Sequence, residues 1–333
     1  MENSKPFPLL RLPRLAIEEV MSTMSPFEII NISMTSLKIK YFIKSFLRTS
    51  QNSQYNLQLI MNKEPIVSIK GSEVYFEFQV TSDKTKDGMR VYKECLMDEK
   101  FDTFWTYSED LLDCWTKVVK TVKETIKFTD RIFHFEIDTC PTRNKSIVDF
   151  IKSETPSIEC CKHHGKAETD DNIKYFFNNI NVTNGLSMIV RLSNSFKLPQ
   201  ANDLNNCSLD PANWLTFDQF LQFKGSYLCI YGSPLTSYEL NQFLILWMAS
   251  QCHQNLSFFL ININHSQSID TIFNLPHEIM NPNLERIARL SNNTTIPLKG
   301  GIEIKRDDGM TGTINFGWRL DKMLLQMVVS RFD

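Results

Sequence analysis

The stretch FPLLRLPRLAIEEVMSTMSPFEIINISMTSLKIKYFIKSFL, from Phe7 to Leu47, is a short helical block that is apolar on more than one face. Three helices are expected in it. The first opens at Leu12-Pro13, where Pro suits the opening turn because its missing N–H would be unpaired there anyway. Ile17, Val20, Met21 and Met24 then fall at i, i+3, i+4 and i+7, one apolar stripe. Leu12, Leu15 and Ala16 widen the apolar area beyond what a surface helix needs. The second helix opens with Ser25-Pro26-Phe27-Glu28, a capping box with Ser25 as N-cap and Glu28 reaching back to the free N–H groups. The third places Ile39, Phe42, Ile43, Phe46 and Leu47 on one face, with Lys38, Lys40, Lys44 and Arg48 outside it. A block this small cannot hide so much apolar surface alone, and each buried aliphatic side chain is worth roughly 1.5–3 kcal/mol. Cover has to come from the rest of the chain or from another polypeptide.

The block resembles an F-box, the three-helix module that docks on the Skp-type adaptor of cullin ubiquitin ligases. The likeness is carried by Leu12-Pro13, by the Ile17/Val20/Met21 rhythm and by Pro26-x-Glu28-x-Ile30. FPLLRLPRLAIEEVM is similar in particular to the variant found in the large nematode-type families. Where common F-boxes carry an Arg-Trp-like pair late in the third helix, this chain has Lys40-Tyr41-Phe42. The resemblance implies an adaptor contact made by Leu12, Pro13, Ile17, Val20, Met21, Pro26 and Ile30.

The remaining length allows this module plus a large body, the whole chain being 333 residues. Apolar residues make up 42% and charged residues 22%, as in ordinary globular proteins and unlike disordered ones. With 36 basic and 38 acidic residues there is no electrostatic reason to expect nucleic acid or an anionic membrane as the main partner. No apolar run reaches membrane-spanning length, and the longest, near Phe243 to Ala249, reads as a buried helix. The N-terminus lacks the basic and apolar segments of a signal peptide. Eight cysteines without such a signal are expected to be reduced thiols, which points to the cytoplasm or nucleus. The N-x-S/T strings Asn181-Val182-Thr183 and Asn255-Leu256-Ser257 would carry no sugar there.

Three regions are expected: residues 7–50, a β-rich connecting region over 51–130 with one long helix, and 131–333. In the second, Tyr55–Met61, Ile66–Lys70 and Glu73–Val80 read as strands, the last with Val74, Phe76, Phe78 and Val80 at period two. Thr81–Arg90 is a loop. Leu111, Leu112, Trp115, Val118, Val119, Val122 and Ile126 line one helix face, and Lys117, Lys120, Lys123 and Lys127 lie off it as a solvated surface. In the third region strand candidates recur at Ile132–Ile137, Ile158–Lys162, Leu186–Leu192, Ser226–Tyr231 and Leu256–Ile263. Their starts lie roughly 26, 28, 40 and 30 residues apart, with helix candidates at Ser146–Ser153, Asn172–Ile180 and Leu240–Ala249. Thr236-Ser237-Tyr238-Glu239 is a second capping box. This alternation predicts an irregular leucine-rich-repeat-like α/β solenoid. A doubly wound open sheet is the competing topology, and the uneven gap across Lys197–Asn213 weakens a strict repeat. Gly300–Gly317 is a hairpin in outline, turning at Asp308-Gly309, and Trp318–Val329 is expected to be a capping helix. The fold class is thus α+β/α/β: a three-helix F-box, a solenoid, a hairpin and a cap.

No local constellation points to catalysis. Cys160, Cys161, His163 and His164 are too close together for a zinc pair, which needs two to four intervening residues. Adjacent strand residues face opposite ways, so Cys160 is expected in the core and Cys161 at the surface. Cys140 and Cys252 have no arrangement that marks a nucleophile. Asp170-Asp171 and Asp307-Asp308 are paired in sequence only, in expected loops. Phosphate-loop, dinucleotide, nucleophile-elbow and zincin motifs are absent from the sequence. No catalytic residue, cofactor or metal is expected.

LTSYELNQFLILW, Leu235 to Trp247, is similar to the core of the type 2 F-box-associated domain, which follows an N-terminal F-box. In that family it precedes an Ile-x-Arg-x-Asp-Gly-x-x-x-Thr-Ile string, matched here by Ile304, Arg306, Asp308, Gly309, Thr313 and Ile314. The combined resemblance implies a non-enzymatic substrate receptor: a Skp-type adaptor and, through it, a cullin on one side, and an unidentified target protein on the other. If side chains alternate as in leucine-rich repeats, the open face would show Glu159, Arg191, Tyr227 and Tyr231 to the target. A scaffold that binds the adaptor without delivering substrates, and an enzyme with a non-local site, remain the alternatives.

Overall fold

The computed structural model describes residues 11–49, 55–95, 98–199, 204–263, 269–290, 294–319 and 322–330. The chain divides into two units, Met1–His134 and Phe135–Asp333.

Unit 1 begins with helices α1 (Arg14–Ser22), α2 (Pro26–Ser33) and α3 (Leu37–Thr49). Strands β1 (Tyr55–Met61), β2 (Ile66–Lys70), β3 (Val74–Thr81), β4 (Arg90–Glu94) and β5 (Lys100–Tyr107) follow, then helix α4 (Leu111–Thr125). The strands lie in the order β1-β2-β3-β5-β4, antiparallel except for β3 and β5, which run parallel. The expected loop at Thr81–Arg90 contains one short 3-10 turn, Lys84–Lys86, and β4 begins at its end. On α4, Trp115, Val119 and Val122 are buried, and the Trp115 indole donates to the Ile66 carbonyl at 3.1 Å.

β6 (Phe128–Glu136) runs across the boundary in the chain. Unit 2 continues with α5 (Asn144–Glu154), β7 (Ser157–Glu168), α6 (Asp170–Asn179), β8 (Asn181–Arg191), β9 (Asn206–Leu209), α7 (Phe217–Phe220), β10 (Tyr227–Ile230), α8 (Ser237–Met248), β11 (Phe258–Ile263) and α9 (Ile269–Ile272). It ends with β12 (Glu278–Arg289), β13 (Thr295–Lys305), β14 (Thr311–Arg319) and β15 (Lys322–Ser330). The order is β7-β8-β9-β10-β11-β15-β14-β13-β12. From β7 to β11 neighbours are parallel and in chain order, without the reversal that a doubly wound sheet requires. From β11 onward they are antiparallel.

One face of the parallel part carries the core. Cys161, Leu186, Met188, Cys207, Leu209, Leu228, Ile230, Phe259 and Ile261 are buried on it, beneath helices that include α6, α7 and α8. His163 meets Phe176 of α6 edge-on at 4.5 Å, while Phe259 packs on Phe220 and Phe243 at 5.5 and 5.2 Å.

Unit 2 is therefore a mixed sheet with helices, and the parallel pattern does not reach the C-terminus. The expected capping helix over Trp318–Val329 is not formed: its described residues belong to β14 and β15, and β15 is hydrogen-bonded between β11 and β14. Met327 to Ser330 are buried in succession, hence on both faces, and a run such as MLLQMVV then lacks the alternation that marks a strand. The hairpin does form, and Gly309 takes a φ of 87° at its turn, a region where glycine carries no Cβ penalty.

Candidate functional site

Two surfaces carry the side chains singled out by the sequence. The first is the helical block. The expected capping box at α2 is present: the Ser25 N–H and hydroxyl donate to Glu28 Oε2 at 2.7 and 2.9 Å, and the Glu28 N–H donates to Ser25 Oγ at 3.4 Å. These bonds hold the Glu28 carboxyl below its ordinary pKa. One residue before Glu28, Phe27 turns into the unit and meets Phe78 edge-on at 4.7 Å and Phe76 at 5.7 Å. The Arg90 guanidinium lies 5.2 Å from the Phe27 ring and grips Asp102 with two bonds, of 2.9 and 2.6 Å. Ser33 Oγ sits 3.3 Å from Thr125 Oγ1 on α4, and Lys40 pairs with Glu124. On α3, Ile43 and Leu47 are buried.

This packing changes the account of the seven expected adaptor contacts. Ile17, Met21, Pro26 and Ile30 are buried within unit 1. Leu12 and Val20 are half-buried and Pro13 is exposed. The cover for Ile17, Met21, Pro26 and Ile30 is thus the chain's own, a role the sequence left open between this chain and another. What stays in water is a different set: Leu15 at 80% exposure, Leu37 at 74%, Tyr41 at 70% and Met34 at 69%. Leu15 lies on the opposite side of α1 from Ile17, two residues or about 200° away. Leu37 and Tyr41 are one turn apart on α3.

The second surface is the face of the unit 2 sheet opposite the helices. The registers place Lys162, Ser187, Ser208, Cys229, Leu260 and Gln326 in one cross-strand row. Of the four residues expected there, Arg191 is exposed, and Glu159 is half-buried where the β7–β8 register slips. Tyr227 and Tyr231 are half-buried rather than open. They pack against a small core of Cys229, Phe258, Leu260, Ala288, Leu290, Leu298 and Val328, to which β12 and β13 contribute. Tyr227 stacks on Phe258 at 4.5 Å, and burial beside Cys229 pushes its phenol up to about 12. Sequence reasoning missed this cover because β12, EIMNPNLERIAR, is mostly exposed and shows no apolar alternation.

Recesses also lie on unit 2. One of about 310 Å³ is lined by Ile189, Ser208, Asp210, Cys229, Tyr231, Lys322 and Leu324. Another, of about 790 Å³, lies at the carboxyl ends of β7 and β8, where Lys166 and Arg191 stand beside Ser193, Asn194 and Asn213.

The Cys/His cluster resolves into two faces, in the reverse of the expected phase. Cys161 and His163 are buried on the helix side, with Sγ and Nε2 2.9 Å apart, whereas Cys160 is half-buried and His164 exposed. Burial pushes the Cys161 thiol up and lowers His163 to about 3. Asp170, expected in a loop, opens α6 and accepts from the Ser193 N–H and hydroxyl at 2.9 and 2.6 Å.

The two C-terminal sequence strings meet in space. Arg306 lies 5.1 Å from the Trp247 ring, grips Asp308 at 2.9 and 2.8 Å and donates to the Gln254 carbonyl at 3.0 Å. The Asp307 N–H donates to the Met248 carbonyl at 2.9 Å. Gly312 leaves room for Met327 and Trp247, since a Cβ there would lie 2.5 Å from Met327 Cε and 3.2 Å from the indole. The strings thus tie the β13–β14 turn to the end of α8.

Family models match the chain in two places: the F-box domain over residues 9–51 and the F-box associated domain over residues 195–261. No curated protein and no solved structure matches it. The chain has an F-box followed by an F-box-associated domain of type 2, and this pair supports an SCF substrate-recognition role in general.

Proposed function

We propose that this protein is the substrate-recognition subunit of an SCF-type cullin ubiquitin ligase. The F-box docks on a Skp-type adaptor and the F-box-associated unit binds a target protein. The observation that carries this reading is the F-box match together with four large apolar side chains left in water on that domain: Leu15, Met34, Leu37 and Tyr41. Leu37 and Tyr41 lie one turn apart on α3, and contiguous exposed apolar surface marks interaction sites.

The adaptor contact is formed by Leu12, Pro13 and Val20 at α1, joined by Leu15, Leu37 and Tyr41. Ile17, Met21, Pro26 and Ile30 hold the helices in place beneath it. The target sits on the open face of the parallel strands, near Arg191 and Tyr231 and their recesses, with Glu159 and Tyr227 contributing at its margin. Tethering raises the target's effective concentration at the conjugating enzyme to roughly millimolar levels. Chemistry on the target then needs no catalytic group from this chain.

The test is reconstitution with a Skp-type adaptor and cullin. The wild-type chain should capture the adaptor and raise ubiquitylation of a protein it co-purifies with. The variant L37D/Y41D, altered only at exposed positions, should lose both. Undiminished capture by that variant and by L12A/P13A would remove the proposed contact. Capture without any ubiquitylation would favour a scaffold.

A further inference from the structure

The last strand in the unit 2 order, β12, pairs with β13 on one side and, among the described residues, has no strand on the other. Exposed edges of this kind present unpaired backbone donors and acceptors and are templates for another strand.

The direction of those groups can be read from the register. The Leu290 N–H donates to the Thr294 carbonyl at 2.8 Å, closing the β12–β13 hairpin. In an antiparallel pair, hydrogen-bonded and non-bonded positions alternate. Arg286, Ala288 and Leu290 therefore bond inward to β13, whereas Glu285, Ile287 and Arg289 direct their N–H and C=O groups to the free edge. The partner of Ile287 in the register is Pro297. A proline is tolerated there because a non-bonded position asks for no N–H toward β12.

The side chains follow the same alternation. Ala288 and Leu290 are buried in the small core, while Glu285, Ile287 and Arg289 share the solvent face, Ile287 at 73% exposure. Glu285 pairs with Lys299 at 3.1 Å on the β13 side. Arg289 makes no ion pair among the described residues.

We propose that β12 is a self-association edge, occupied by β12 of a second copy of this chain in antiparallel register centred on Ile287. The segment Glu285-Arg286-Ile287-Ala288-Arg289 is complementary to itself in that register. Ile287 meets Ile287 of the second copy, and Glu285 faces Arg289 of the second copy at both ends. The three edge-directed residues of each chain exchange about six backbone hydrogen bonds, and both charge pairs fall on one face as direct cross-strand neighbours. Any other register loses this match. The two-fold relation makes the interface isologous, so it closes at a dimer and does not propagate. Edge pairing of this length covers less than the roughly 1,200–2,000 Å² of a standard interface, so the dimer is reversible and forms with rising concentration. This inference is independent of the proposed ligase role.

The experiment is sedimentation equilibrium of the full chain over the micromolar to sub-millimolar range, with E285R, R289E, their equimolar mixture and the double variant E285R/R289E. Both positions are exposed, and thermal melts establish that each variant is folded. Wild type should dimerise reversibly. Each single variant sets like charges opposite one another at both ends, weakening dimerisation roughly tenfold or more. The mixture should recover association as a mixed dimer, because each variant then meets opposite charge, and the double variant should recover it alone. Association through the apolar F-box surface would be indifferent to these changes. A wild-type chain that stays monomeric throughout, single variants that dimerise as well as wild type, or a mixture that fails to recover would each overturn the proposal. Protection of the Ile287 amide only by some other bound polypeptide would assign the edge to strand addition by a partner and overturn it too.

Discussion

The two units leave apolar surface in water in different ways. In unit 1 the most exposed large apolar side chains, Leu15, Leu37, Tyr41 and Met34, belong to the helical block. In unit 2 the most exposed are Ile279 and Ile287, both on the edge strand β12. The first kind of surface suits a partner that covers side chains, and the second suits one that also satisfies backbone groups. Their cores differ as well. Unit 2 buries His163 and His253 among phenylalanine rings, His253 lying 4.7 Å from Phe220, whereas the titrating group at the unit 1 capping box is the exposed Glu28.

The largest effect expected from this contrast is at Trp247. Trp247→Ala should destabilise unit 2 by about 3–5 kcal/mol through the lost transfer energy and the cavity left under Arg306. Urea denaturation followed by circular dichroism measures it, and adaptor capture below the transition should be unchanged. Loss of capture by the folded variant would break the assignment of that contact to unit 1.

Acid comes next. Burial lowers His163 to about 3 and His253 to about 4 in the folded chain, against an ordinary value of 6.5. The unfolded chain then binds more protons between those values, so stability is full above about pH 6.5 and falls as the pH drops through the window. Each histidine should cost about 2 kcal/mol between pH 7 and pH 5. Urea midpoints at the two pH values should show this, with a shallower slope in H163L. Glu28 acts later: its depressed pKa contributes stability above its ordinary value of 4.5 that is lost on further acidification. A pH-independent midpoint from 7 to 5 would contradict the burial of the two imidazoles.

A smaller change is expected at the F-box cap. Ser25→Ala removes a hydroxyl that accepts the Glu28 N–H and should cost about 1 kcal/mol, read as a lower thermal midpoint. The smallest stability effect belongs to L37D/Y41D, which should lie within about 0.5 kcal/mol of wild type because both side chains are solvent-exposed. A change of several kcal/mol there would show that the stripe is structural.

Local chemistry was legible where one signal dominated. The capping boxes at Ser25 and Thr236 form as read, because three or four adjacent residues specify them. Strands β1 and β2 have the expected limits, since turn residues bound them. What failed was context. β9, NCSL, is too short and polar to announce itself, yet it supplies the strand missing from the long gap between β8 and β10. The sequence of β15 reads as a helix because burial on both faces erases period two. The Cys160/Cys161 phase is opposite to the expected one, since IECCK contains no alternation from which to choose a face. The same gap affected the sites. Helical periodicity marks Ile17, Met21 and Ile30 as apolar, but it does not distinguish a side chain buried in its own chain from one facing a partner.

In the proposed complex a Skp-type adaptor covers the exposed apolar surface of the F-box, and hydrogen exchange of the full chain with and without that adaptor reads out this cover. New protection should fall on α1 and α3, around residues 12–20 and 37–41, with unit 2 unchanged. Absence of a complex, or protection confined to unit 2, would rule out that contact.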